Sequence, residues 1–181
     1  MIRTATHIPA NVALVKPERF TILYDDFQPY VPNTFVILTS SYDKQHYLRD
    51  WASSILQQDY RPLRVVFVDD SSERSDANLV VSLAGLFKQK GIQLRVIRNL
   101  HRCNCGTSYR IAHDHAIGDF FGVLDADDML LPGAVEMVCK VYQYIPSIAY
   151  VYTQFQICDT KMTLLKPGFC TCPPPGKSLL D

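Results

Sequence analysis

Four short apolar runs, each closed by a polar or acidic cluster, restrict this chain to few folds. Thr34 to Thr39, centred on Phe35-Val-Ile-Leu38, runs into Ser40-Ser41-Tyr42-Asp43, and Leu63 to Val68 runs into Asp69-Asp70-Ser71-Ser72. Ile92 to Ile97 leads to the polar stretch Arg98 to Gly106, and Phe120 to Leu124 leads to Asp125-Ala-Asp127-Asp128. Runs of this length with these flanks read as buried strands. The segments between them carry helical periodicity. Asp43 is predicted to cap a helix with Tyr47, Leu48, Trp51, Ile55 and Leu56 inward, ending near Asp59. Asp76 is predicted to cap a second, with Leu79, Val80, Leu83, Leu86 and Phe87 inward and Gly91 just past its end. A third covers Thr107 to Ile117, stopped by Gly118, and a fourth runs from Pro132 to Tyr144 with Val135, Val138, Val141 and Tyr142 on one face. Strands alternating with helices in units of about 30 residues predict an α/β fold, a mostly parallel sheet sandwiched by helices. In such a sheet ligands bind outside the carboxyl ends of the strands. The four polar clusters are therefore expected to meet on one rim.

Outside this pattern the sequence says less. Residues 1–33, with Pro9, Pro17, Pro29 and Pro32, read as an irregular N-terminal extension holding a short strand at Phe20 to Tyr24. The organised domain is expected over 34–168, with a further strand at Ile148 to Tyr152 and a hairpin arm from Asp159 to Leu165. Residues 169–181, with Pro173-Pro-Pro175, read as an irregular tail. At 181 residues and 48% apolar content the chain fits one domain with a full core. Lys plus Arg, 18, equals Asp plus Glu, 18, so no global charge draws it to nucleic acid or an anionic membrane. No apolar run approaches the ~20 residues of a membrane span. The N-terminus lacks the pattern of a signal peptide, and a cytoplasmic location is expected.

Binding chemistry must then come from local clusters. Asp125, Asp127 and Asp128 stand together at one strand end, an arrangement that repels itself unless a cation offsets it. Hard oxygen donors so grouped suit Mg²⁺ or Mn²⁺, which keep open positions for substrate phosphates. An Asp-rich turn capping the next helix is the simpler alternative. The six cysteines include two Cys-x-Cys pairs, Cys103/Cys105 and Cys170/Cys172, with His101, His113 and His115 near the first. That spacing is narrower than in zinc knuckles, and reduced thiols are the expectation, with a zinc-stabilised domain as the alternative. The turn after the first strand, Ser-Ser-Tyr-Asp, excludes the glycine-rich dinucleotide fingerprint, and a Walker-type loop is absent. A phosphate-receiver domain needs its acidic pair after the first strand, whereas Asp69-Asp70 follow the second. A phosphatase of the Asp-x-Asp type needs most of its sheet after that motif, and only 53 residues follow Asp128.

Four stretches together resemble the nucleotide-sugar-binding part of a family 2 glycosyltransferase of GT-A fold. They are Val36-Ile-Leu-Thr-Ser-Ser-Tyr-Asp-Lys44; Ser54 to Tyr60 leading into Val66-Phe-Val-Asp-Asp-Ser-Ser72; Asn104-Cys-Gly106 with Arg110 eight residues ahead of Gly118; and Leu124-Asp-Ala-Asp-Asp128, similar to the family's Asp-x-Asp motif. The resemblance covers roughly 34–155 and departs at Ser40, Asp43 and Ser71, where the family favours Pro or Thr, Asn and Gly.

The resemblance implies transfer of a sugar from a UDP- or other nucleoside-diphospho-sugar to a hydroxyl of a glycan, lipid or protein, inverting the anomeric centre with help from a divalent cation. Tyr42 would stack on the donor base with Ser40 nearby, and Asp70 would accept hydrogen bonds from the base, Asp69 serving mainly in the turn. Arg110 would approach the diphosphate or ribose. Asp127 would touch ribose or metal, and Asp125 or Asp128 would bind the cation. The family's general base lies after the hairpin arm. Here Asp159 and Asp181 are the later carboxylates and neither sits in a matching motif, so the catalytic residue stays unassigned. A truncated or inactive nucleotide-sugar-binding module is the alternative expectation.

Overall fold

A computed structural model describes residues 20–161 and 163–168. It divides into two compact units, Met1–Cys139 and Lys140–Asp181.

The first unit is built on a sheet of five strands: β1 (Phe20–Asp25), β2 (Phe35–Ser41), β3 (Leu63–Asp69), β4 (Ile92–Asn99) and β5 (Phe120–Val123). Their order is β1-β4-β3-β2-β5. Strands β2 to β5 are parallel, and β1 runs antiparallel to β4 along one edge. The parallel strands are joined by α1 (Leu48–Leu56), by α2 (Asp76–Ser82) with α3 (Ala84–Gln89), and by α4 (Cys105–Asp114), as the alternation predicted. The short strand expected near Phe20 is present as β1, so part of the segment read as an extension completes the sheet.

Alternation along each strand sorts its side chains to the two faces. Ile37, Val65, Phe67, Leu94 and Val96 pack with Leu48, Trp51 and Ile55 of α1 and with Val80 and Phe87. Val36, Leu38, Val66, Val68 and Ile97 meet Ile111 and Ala112 of α4 on the other face. Both faces are covered, which is why these strands read as unbroken apolar runs. Arg64 interrupts β3 yet is only 1% exposed. Its Nη1 donates to the Ile117 carbonyl at 2.9 Å, and its Nη2 to the Gln28 and Pro29 carbonyls at 2.8 Å each. Three backbone acceptors offset its burial and fasten the residues that follow β1.

Two close approaches need glycine. A Cβ on Gly118 would lie 2.5 Å from Val36 Cγ2 and 2.8 Å from the Thr34 carbonyl, and one on Gly122 2.7 Å from the Phe35 ring.

Several local expectations change. Strand β5 is not buried throughout: Phe121 is 41% and Val123 66% exposed, because β5 has β2 on one side and no partner on the other among the described residues. Asp43 does not cap α1. It sits in a left-handed turn, φ 53, its carboxylate accepting the Glu73 N–H at 3.0 Å. The cap of α2 is Ser75, whose side chain accepts the Asn78 N–H, while Asp76 is the first helical residue. Helix α4 starts at Cys105, two residues early, because the Asn104 side chain accepts the Thr107 N–H.

Helix α5 (Ala134–Tyr144) crosses the boundary between the units, with Val135 and Cys139 buried in the core of the first. In the second unit β6 (Phe155–Cys158) and β7 (Leu164–Gly168) pair antiparallel, so a hairpin is present but its strands largely flank the Asp159 to Leu165 stretch expected to form it. Ile148 to Tyr152, expected as a strand, has no strand conformation, and its Tyr150 and Tyr152 rings stack at 6.2 Å. The tail 169–181 lies outside the described residues.

Candidate active site

Parallel strands end on the same side of a sheet, so the residues after β2, β3, β4 and β5 converge. Between them lies a cavity of about 880 Å³. The β2 end contributes Ser40, Tyr42 and Lys44, and the β3 end Asp70. The loop after β4 and the start of α4 supply Arg102 to Cys105 and Tyr109, and the β5 end Asp125 and Asp127. The meeting of the four clusters on one rim is thus as expected.

The paired carboxylates after β3 divide their work. Asp69 is fully buried: Oδ1 accepts the Ser72 N–H at 2.8 Å, and Oδ2 accepts the Ala77 N–H at 3.1 Å and Arg98 Nη1 at 2.9 Å. It shapes the turn, as predicted. Asp70 is 3% exposed and meets a different set of donors. Its Oδ1 accepts Asn99 Nδ2 at 2.9 Å and the Cys103 N–H at 2.8 Å, and its Oδ2 accepts the Asn104 N–H at 2.9 Å. A carboxylate offers about four lone-pair positions, so the chain itself fills three. Asp70 therefore moulds the β4–α4 loop against the cavity. Asp76 does the same for the β2 turn, its Oδ2 accepting Ser41 Oγ–H at 2.6 Å and the Lys44 N–H at 2.8 Å, one anchor on each side of Tyr42.

The acidic triad is spread rather than focused. Asp125 accepts the hydroxyl of Tyr109, a very short contact. Burial first, then the Asp125 bond, push that phenol above its usual value, so it keeps its proton and donates it. Asp127 pairs with Lys44, Nζ to Oδ2 2.6 Å, which holds the lysine above its ordinary value of 10.5. Asp128 lies outside the cavity lining. Partial shielding from water, then the charges of Asp125 and Asp127, raise its carboxyl above 3.8, against the pull of Lys44.

A carboxyl raised on folding favours the fold while protonated. That contribution is complete below the ordinary value and is lost as pH rises through the raised one. Asp128→Asn removes the loss and is expected to melt about 1–2 °C above the parent at pH 7. The gap should close as pH falls toward 3.8 in a calorimetric pH series. A variant melting below the parent at pH 7 would show instead that the carboxylate holds structure.

Among the described residues no group of three or more His, Cys, Asp or Glu side chains converges as a ready-made metal cage. Mg²⁺ and Mn²⁺ do not need one, since one or two carboxylates plus substrate phosphates commonly suffice. The donor set fits a hard cation on that basis: oxygen ligands only, with net negative charge at the β5 end that raises Asp128. The zinc alternative gains no support. Burial first, then Asp70, raise the Cys103 thiol, its Sγ lies 3.1 Å from the His101 carbonyl, and Cys170 and Cys172 are outside the described residues.

Of the residues singled out in sequence, Ser40, Tyr42, Asp70, Asp125 and Asp127 line the cavity, while Arg110 does not. Arg110 faces outward on α4 with its Nη1 3.0 Å from Asp114. One helical position moves a side chain by about 100°, so Tyr109 takes the inward direction and Arg110 the outer one. Tyr109, Lys44 and Arg102 were not assigned roles from sequence. Tyr109 was within reach of the pattern, since a helix beginning at the rim puts Cys105 and its i+4 neighbour on one face.

Known proteins are similar to this chain in sequence and fold. The profile of Glycosyl transferase family 2 matches residues 36–167. An uncharacterized glycosyltransferase of Methanocaldococcus jannaschii is 24% identical over 135 residues, which is 75% of this chain and 46% of the relative. S. aureus TarS in complex with UDP-GlcNAc is similar in structure, with a TM-score of 0.54 and 22% identity over 61% of this chain and 31% of that one. The mannosyltransferase PcManGT from Pyrobaculum calidifontis, in complex with GDP-Man and Mn²⁺, gives a TM-score of 0.52 and 23% identity over 64% and 33%. The chain spans less than half the length of these relatives. At such identities the structural likeness establishes the fold, which is GT-A. Because the profile match runs through every strand-end cluster that builds the cavity, the chain belongs to glycosyl transferase family 2.

Proposed function

We propose that this chain carries the donor site of a glycosyltransferase that takes a sugar from a nucleoside-diphospho-sugar to an acceptor hydroxyl with inversion. The observation that carries the reading is the convergence of the β2, β3, β4 and β5 ends on one cavity lined by Tyr42, Asp70, Asp125 and Asp127. The ligands named for the solved relatives, UDP-GlcNAc and GDP-Man with Mn²⁺, support a nucleotide-sugar of either base.

In this reading Tyr42 stacks on the base beside Ser40. Asp70 holds the β4–α4 loop in shape and has one lone-pair position left for a donor on the base. Asp127, with Asp125 or Asp128, would hold Mg²⁺ or Mn²⁺, which when bound supplies Lewis-acid neutralisation of the diphosphate leaving group. Lys44 at Asp127 adds a positive charge to the same corner. The acceptor, a glycan, lipid or protein hydroxyl, belongs to the proposal too, as does a cytoplasmic location; no described helix is long and apolar enough to cross a membrane.

Titration calorimetry with UDP and with GDP, with and without Mn²⁺, tests this. One nucleotide is expected to bind in a metal-dependent manner, and Asp127→Ala to weaken the metal-supported binding at least ~10-fold. Binding of neither nucleotide under any condition would refute the reading. A nucleotide-sugar-binding module without activity shares the donor site, and donor turnover separates the two.

A further inference from the structure

Arg102 belongs to none of the sequence motifs, yet its guanidinium lies over the Tyr42 ring, Cζ 3.9 Å from the centroid, and both side chains line the cavity. The placement is built from both sides. Asp70 grips the two backbone N–H groups that follow Arg102, those of Cys103 and Asn104. Asp76 fixes the residues on either side of Tyr42. Two anchored turns thus present a planar cation and an aromatic ring face to face.

We infer that Arg102 and Tyr42 form a two-sided clamp for the nucleobase of the donor, Arg102 stacking on the face of the base opposite Tyr42. This rests on the nucleotide-sugar reading above. Guanidinium is flat, delocalised and weakly hydrated, and it stacks on any π face. A base taking the ring face that Arg102 covers lifts the guanidinium by roughly 3.4 Å, one stacking distance. The exposed side chain has the reach for this while Asp70 keeps the adjoining backbone in place. One stacked contact is exchanged for two. Because every base has a π face, the clamp strengthens binding without choosing the base.

The test compares the full parent chain with Arg102→Ala and Arg102→Lys. UDP, GDP, uridine and guanosine are titrated as competitors of a fluorescent nucleotide. Arg102 is exposed, so both variants are expected to fold, with melting temperatures close to the parent's. For the nucleotide that the parent binds, both variants are expected to bind about 10-fold more weakly, and the matching nucleoside to lose the same factor. Lysine keeps the charge and loses the plane. Restoration of binding by lysine, or a loss confined to the nucleotide, would make Arg102 a phosphate contact and overturn the clamp. Unchanged affinity in both variants would overturn it too, leaving the nucleotide reading intact. A parent that binds neither UDP nor GDP would bring down both.

Discussion

Asp70→Ala is expected to weaken nucleotide binding at least ~100-fold and to lower stability by about 3 kcal/mol. Three donors converge on this carboxylate from residues distant in sequence: the Asn99 side chain and the Cys103 and Asn104 N–H groups. Asn99 is 1% exposed and also donates to Ser108 Oγ at 3.1 Å, so water cannot readily replace its lost partner. The stability cost comes from removing three hydrogen bonds at a buried carboxylate, one of them from the buried Asn99 side chain. The binding cost is separate, because the released loop carries Arg102, Cys103 and Asn104, all of which line the cavity. Asp70→Asn keeps the shape but turns an N–H₂ toward these donors, and it should fall between parent and alanine. Calorimetric titration with UDP or GDP and Mn²⁺, beside urea unfolding, checks both effects. Parental nucleotide affinity in Asp70→Ala would show that the loop holds its form without the carboxylate.

Asp69→Ala carries the largest expected cost to folding, about 3–5 kcal/mol. Asp69 is wholly buried and receives a turn N–H, a first-turn N–H of α2 and the Arg98 guanidinium. Arg98 also donates to the Ser72 carbonyl at 2.9 Å and stays partly exposed, which keeps the loss nearer the lower end of that range. Domains of this kind have about 5–15 kcal/mol in total, so a large share of the fold is at stake. Urea unfolding should show the midpoint falling further for Asp69→Ala than for Asp69→Asn, which retains one acceptor. Equal midpoints for alanine and parent would mean that the β3 turn is held by its backbone alone.

These neighbours show what could be read in advance. The strands β2, β3 and β4 were legible because each is covered on both faces, and such burial writes itself as a continuous apolar run. Their polar ends were legible for the same reason, since the change from apolar to charged marks where the sheet meets solvent. Strand β5 has an equally apolar sequence but lies at an edge of the sheet among the described residues, and composition cannot say which strands will find two neighbours. The cap of α2 differs from the expectation because Ser75 and Asp76 are both good caps, and Ser41 and the Lys44 N–H, more than 30 residues away, claim the Asp76 carboxylate. Arg110 fitted the motif order, but the phase of α4 turned it outward.

By itself the sequence determined the α/β alternation, the single rim, and the family to which that order of clusters belongs. Hydrophobic periodicity and the position of polar breaks are local properties that survive in one dimension. Only the tertiary structure decided which donors each carboxylate meets. Asp69 holds a turn, Asp70 a loop and Asp76 the Tyr42 segment, while Asp125 meets Tyr109 and Asp127 meets Lys44. In sequence these are five similar acidic residues after strands or at a helix start. Their roles differ because hydrogen bonds are short and directional, and the donors that select among them come from segments brought close by the crossovers of the sheet.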